Sequence, residues 1–193
     1  MKKSIILSIL FLASVLTFSQ EDYKITKSKV KITGTSTLHD WTADVTKLTG
    51  TGKLTFKNSA LTGIENLTVS MEAATIKSSK GSMMDKKMSS ALKAKDNPNI
   101  VFSLTKLTSV TAKNGGWEIK AEGKLTVAGT TKTIDLTAFG KTNGNGELTF
   151  TGSKKLKMTD FKVEPPVMMM GTLKTADDIT ISFETTLVKA TIR

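Results

Sequence analysis

The chain has 193 residues, 38% of them hydrophobic and 23% charged, with a formal net charge of +11. The absence of cysteine and a single histidine, His39, exclude disulfides, thiolate metal sites, a cysteine nucleophile and any multi-histidine metal centre. Aromatic residues make up only 6%, too few to interleave with the lysines as a base-stacking surface, so no nucleic-acid partner is expected.

Lys2-Lys3 followed by the apolar run Ile5 to Phe18 has the form of an export signal. A run of about 14 apolar residues is short of the roughly 20 that a spanning helix needs. Thr17 and Ser19 are small enough to flank a cleavage site. We therefore expect a signal at residues 1–19 and a single domain at 20–193, located in the periplasm or outside the cell. No linker or composition shift divides that domain, and its length suffices for one core.

Tyr23 to Ile32 alternates loosely, with Ile25, Val30 and Ile32 apolar. Gly34-Thr35-Ser36-Thr37 breaks the pattern before Trp41, Ala43 and Val45, which share a face. Leu54 and Phe56 mark the next strand, and Leu67, Val69, Met71 and Ala73 the one after. Then the period changes. Met84, Met88, Ala91 and Leu92 form one helical stripe, with Lys86, Lys87 and Lys93 on the other side. Ser82 as N-cap and Asp85 three residues later predict a capping-box start, and Asp96-Asn97-Pro98 predicts the stop, giving one short helix near 82–95.

Ile100, Phe102 and Leu104 return to strand spacing. Asn114-Gly115-Gly116 signals a hairpin into Trp117, Ile119, Ala121, Gly123, Leu125 and Val127, all of one parity. Gly129 turns that strand into Thr133 to Phe139, and Asn143-Gly144-Asn145-Gly146 makes a second hairpin into Leu148 and Phe150. Ile179, Ile181, Phe183, Thr185 and Leu187 share the inward side of the last strand. About eight strands and one inserted helix predict an all-β protein, an extended antiparallel barrel with a sandwich as the alternative. The long stretch from Gly116 to Val127 favours a barrel deep enough to hold one small ligand.

Catalytic groups are sparse. His39-Asp40 could orient an imidazole as base, but no nucleophile elbow, Walker loop or dinucleotide fingerprint accompanies it. No catalytic residue, metal ligand or cofactor is assigned. Met83, Met84 and Met88, with Met168-Met169-Met170 after Pro165-Pro166, supply pliable apolar surface. Their spacing suits a rim around a greasy ligand and a filled core equally well.

Four stretches together resemble the YceI-like family: Gly34 to Trp41 (GTSTLHDW), Ala91 to Phe102 with its Asn97-Pro98, Gly123 to Lys132 (GKLTVAGTTK), and Met158-Thr159-Asp160-Phe161 through Gly171 to Ile181. The resemblance covers essentially the whole chain after the signal. It implies a lipocalin-like barrel, without enzymatic activity, whose elongated apolar pocket holds a polyisoprenoid-type or similar amphiphilic lipid. On that reading Trp41, Phe56, Val69, Met71, Phe102, Leu104, Ile119, Leu125 and Phe183 form walls or floor. Met84, Met88 and Leu92 cover the pocket, and His39 bonds a polar headgroup. Monomer and homodimer both remain open. The alternative is a basic surface protein that binds anionic polymers or membrane headgroups, and salt dependence separates the two.

Overall fold

The computed structural model describes residues 18–168 and 172–190. Of the signal expected at 1–19, residues 1–17 lie outside the described residues while Phe18 and Ser19 open β1; Met169-Met170 also lie outside. In chain order the elements are β1 (Phe18–Ser36), β2 (Trp41–Val45), β3 (Leu48–Lys57), β4 (Ala60–Glu72), β5 (Ile76–Ser78) and α1 (Ser82–Ala91). After the helix come β6 (Asn99–Lys113), β7 (Gly116–Val127), β8 (Thr130–Thr142), β9 (Leu148–Lys157), β10 (Val167–Met168) and β11 (Leu173–Lys189). Eight strands pair antiparallel in the order β1-β3-β4-β6-β7-β8-β9-β11, and β11 returns to β1 from Tyr23↔Lys189 to Ser36↔Thr175. That last pairing closes the sheet, so the expected eight-stranded barrel is present and the sandwich is not. β2, β5 and β10 are short additions at one end, paired with β1, β2 and β11 in turn.

Local chemistry explains the hairpins. Asn114 and Gly115 have φ of 48° and 74°, a two-residue turn whose twist matches the strands it joins. Two strands run further than simple alternation suggests. In β6 the register against β7 shifts between Leu104 and Lys106 and again between Leu107 and Ser109. These bulges let the strand continue to Lys113 while Leu104, Leu107 and Val110, three apart, pack on the interior. β1 likewise shifts register between Ile25 and Lys27. It serves β3 with its first half and β2 with its second.

One end of the barrel is sealed. Tyr23, Leu54, Leu61, Ile64, Ile119, Leu148, Phe150 and Leu187 are buried together there, Leu54 only 1% exposed. Phe56 lies between Tyr23 and Trp117, with ring centroids 6.2 and 6.3 Å away in tilted and edge-on arrangements. Burial, with the Glu21 carboxylate beside it, pushes the Tyr23 phenol up to about 12. Its hydroxyl donates to Glu21 at 3.3 Å.

Because the folded value lies above the ordinary 10, the linked stability is complete below pH 10 and is lost as pH rises towards 12. Tyr23 is the chain's one tyrosine, so ultraviolet titration reads it directly. We expect a midpoint near 12 in the folded protein and near 10 in denaturant; a native midpoint at 10 would mean that this end is open to water.

Glycines decide where the interior rings lie. Gly34, Gly140 and Gly152 stand directly across from Trp41, Phe150 and Phe183 on neighbouring strands. A Cβ added at Gly34 or Gly152 would come within 2.5 Å of the facing ring, and one at Gly140 within 2.7 Å. Each ring therefore lies against bare backbone instead of reaching across the barrel. Gly123 is covered in the same way by Phe102, diagonally opposite.

Candidate ligand cavity

With its aromatics held to the wall, the barrel encloses two apolar chambers. The lower, of about 170 Å3, is lined by Ile25, Leu54, Leu67, Val69, Phe102, Leu104, Ile119, Ile134, Leu136, Phe183 and their neighbours. The upper, of about 300 Å3, lies beneath α1 and is lined by Trp41, Ile76, Met84, Met88, Leu92, Ile100, Met158 and Ile179 among others. Val30, Met71, Leu125, Leu156 and Ile181 line both, so the chambers adjoin along the barrel axis. A void that holds one water needs only on the order of 10–15 Å3, so these volumes are far beyond packing defects. β7 spans 12 residues, about 40 Å of strand, which the usual barrel tilt reduces to about 30 Å of height.

α1 covers the upper chamber. Met84, Met88, Ala91 and Leu92, the stripe read from the sequence, all line it, and none of the helix's residues is fully buried. Its start differs from the capping box. Gly81 at φ 86° is the N-cap, and no side chain caps the first turn. Asp85 instead accepts the Ser78 backbone N–H at 2.7 Å and pairs with Lys77 at 3.3 Å. The Ser78 bond is the main reason its carboxyl sits below the ordinary value. The side chain that would have closed the helix's own end thus ties the lid to β5.

A seam runs down one side of the wall. β8 and β9 pair only from Ala138↔Gly152 to Thr142↔Leu148 and then part. A 3-10 turn at Thr159–Phe161 packs against both strands, burying Phe161 and Val163 in the upper core. Asp177 fastens the turn by accepting the Thr159 hydroxyl at 2.6 Å and its N–H at 2.8 Å, and these bonds hold its carboxyl below the usual range. Lys154 follows the inward parity of Leu148, Phe150 and Leu156 and lines the lower chamber. Its Nζ nevertheless lies 2.8 Å from Asp135, an outer-face residue 85% exposed. The aliphatic stem stays in the apolar wall while the charge leaves it.

Of the residues expected from the sequence, Val69, Phe102, Leu104, Ile119 and Phe183 line the lower chamber. His39, Trp41, Met84, Met88 and Leu92 line the upper, and Met71 and Leu125 line both. Phe56 lines neither and instead closes the floor beneath them. His39 sits at the open end, where its backbone carbonyl accepts the Ser36 N–H and hydroxyl. The Trp41 indole N–H donates to the Thr35 carbonyl at 3.2 Å, fixing the ring over Gly34.

Sequence reasoning missed Lys154, Lys157, Lys80, Phe161 and Val163. Only Lys154 had a local signal, the alternation from Leu148 through Leu156. Polar groups at the upper chamber are few: Ser36, His39, Lys80, Lys157 and Thr175, all near its mouth. An apolar tube with a polar rim can take a hydrocarbon tail inward and leave a polar headgroup at the opening.

Solved structures share this architecture. BcnA of Burkholderia cenocepacia matches with a TM-score of 0.64 at 18% identity, covering 83% of this chain and 96% of that one. A polyisoprenoid binding domain from Saccharophagus degradans matches with 0.64 at 10% identity, covering 87% and 98%. A YCEI protein of Campylobacter jejuni gives 0.56 at 18%, covering 100% and 94%. Identities this low speak to fold alone. No curated protein sequence matches the chain. The model of the YceI-like domain, however, matches residues 22–187, which spans the whole barrel from early β1 to late β11. The chain belongs to the YceI-like family.

Proposed function

We propose that this protein is an exported, non-enzymatic carrier that holds one amphiphilic lipid, of polyisoprenoid type or similar, with its tail along the barrel axis. The observation that carries the reading is the pair of adjoining apolar chambers, in which the lower has only Thr185 and the stem of Lys154 as polar residues and the rest gather at the upper mouth. Burying apolar surface contributes roughly 25 cal/mol per Å2, so about 400 Å2 of tail supplies on the order of 10 kcal/mol before ordering costs. A few rim contacts give less. Affinity therefore follows tail length more than headgroup. The family membership and the binding named for the Saccharophagus degradans domain support the same class of ligand.

Displacement of an apolar fluorescent probe by lipids of graded tail length tests the reading. Displacement should strengthen with each added isoprenoid unit and change little between low and high salt. Failure of the probe to bind, or binding that collapses as salt rises, would favour attachment of anionic polymers to the basic exterior instead.

A further inference from the structure

We propose that the mouth of the upper chamber is a membrane-docking surface that fits an anionic phospholipid bilayer. Three large hydrophobic residues are strongly exposed among the described residues: Leu38 at 70%, Met83 at 68% and Val167 at 56%. They come from three distant parts of the chain, yet all belong to this one end. Met83 lines the upper chamber from α1. Leu38 adjoins His39 in the turn between β1 and β2, and Val167 adjoins Pro166; both neighbours line the chamber. Lys174 brings the last two segments together. It pairs with Val167, its carbonyl accepts the Thr37 N–H at 3.0 Å, and its own N–H donates to the Thr37 hydroxyl at 3.3 Å.

Cations surround these three side chains. The rim segments 36–41, 80–88, 157–167 and 173–175 hold six lysines, Lys80, Lys86, Lys87, Lys157, Lys162 and Lys174, against four acids, Asp40, Asp85, Asp160 and Glu164. One of those acids, Asp85, is already paired with Lys77, which lies outside the set. No salt bridge joins any of the six lysines to an acid among the described residues, although Lys157 lies near enough to Asp177 to help lower its carboxyl, whereas Lys27, Lys47, Lys113, Lys154 and Lys189 elsewhere on the barrel are bridged. Single hydrophobic side chains set among unbridged lysines are the pattern of an interfacial anchor, in which apolar groups enter the acyl boundary and ammonium groups meet phosphates. A second copy of the chain is a poor occupant, because an isologous contact would set lysines against lysines in a molecule of net charge +11.

Docked this way, the chamber opens at the depth of the headgroups, and a tail can pass from bilayer to barrel without crossing water. The docking surface goes beyond the carrier reading and is measured separately from it. Vesicle flotation would compare phosphatidylcholine vesicles with vesicles that also contain phosphatidylglycerol. The variants are Leu38→Ser with Val167→Ser, and Lys86→Gln with Lys174→Gln, none of which lines a chamber. The protein should float with the anionic vesicles, less so as salt rises, and each variant should weaken binding on the order of tenfold. Uptake of a soluble apolar probe without vesicles should be unchanged in every variant, which also shows that they fold.

Equal binding to neutral and anionic vesicles, equal binding by variants and parent, or a dimer in solution that these substitutions dissolve would overturn the proposal. Flotation that behaves as expected in a protein that takes up no probe would leave docking standing and remove the carrier reading.

Discussion

Met71→Trp is expected to divide ligands by tail length. Met71 lines both chambers, and its neighbours on paired strands are Leu48 and Ile100. An indole there projects into the passage and closes the lower chamber to anything entering through the mouth. A tail that can no longer bury four methylene-sized groups loses about 3 kcal/mol, or roughly a hundredfold in affinity. Short ligands confined to the upper chamber should bind within about twofold of the parent. Extra bulk in a packed interior costs typically 1–3 kcal/mol of stability, so a denaturant melt accompanies the titration. Equal losses for short and long tails would show that the two chambers are not filled in sequence.

The second large effect contrasts two leucines. Leu148→Ala should cost about 3–4 kcal/mol, because Leu148 is 2% exposed within the sealed end, lines neither chamber, and its truncation leaves a void. Leu136→Ala should cost only about 1 kcal/mol in the lipid-free protein, because Leu136 faces the lower chamber and already lacks partner atoms on that side. Chemical denaturation of the delipidated variants measures both. Similar large costs at the two positions would mean that the barrel interior is filled throughout.

Much of this architecture could be read from alternation. The inward rows of β7 and β11 come straight from period two, and every inward residue named for the last strand lines a chamber. The helical stripe of Met84, Met88, Ala91 and Leu92 faces the cavity for the same reason: one face of α1 had to be covered or cover something. The hollowness was not legible. It depends on Gly34, Gly140 and Gly152 lying opposite aromatic rings, and opposition is a matter of register between strands that local sequence does not specify.

Other departures have equally local causes. The helix start differs because Asp85 bonds Ser78 rather than the first turn. Alternation carries β6 only as far as Leu104, because its two bulges break the pattern that defines a strand beyond it. Phe56 keeps inward parity but falls beyond the cavity, under a register shift between Thr55 and Phe56, and becomes floor. Lys154 stands in the sequence beside Lys155 and Lys157. Its parity separates it from both, and only the parting of β8 from β9 gives its ammonium a way out to Asp135.

The carrier reading requires that the oil-lined volume be occupied by a greasy molecule in the living cell. Native mass spectrometry of protein purified from its own host, followed by solvent extraction, measures that directly. The account predicts one adduct per chain, released by organic solvent and carrying a long hydrocarbon tail. Bare chain alone, from protein that also takes up no apolar probe when offered one, would contradict it.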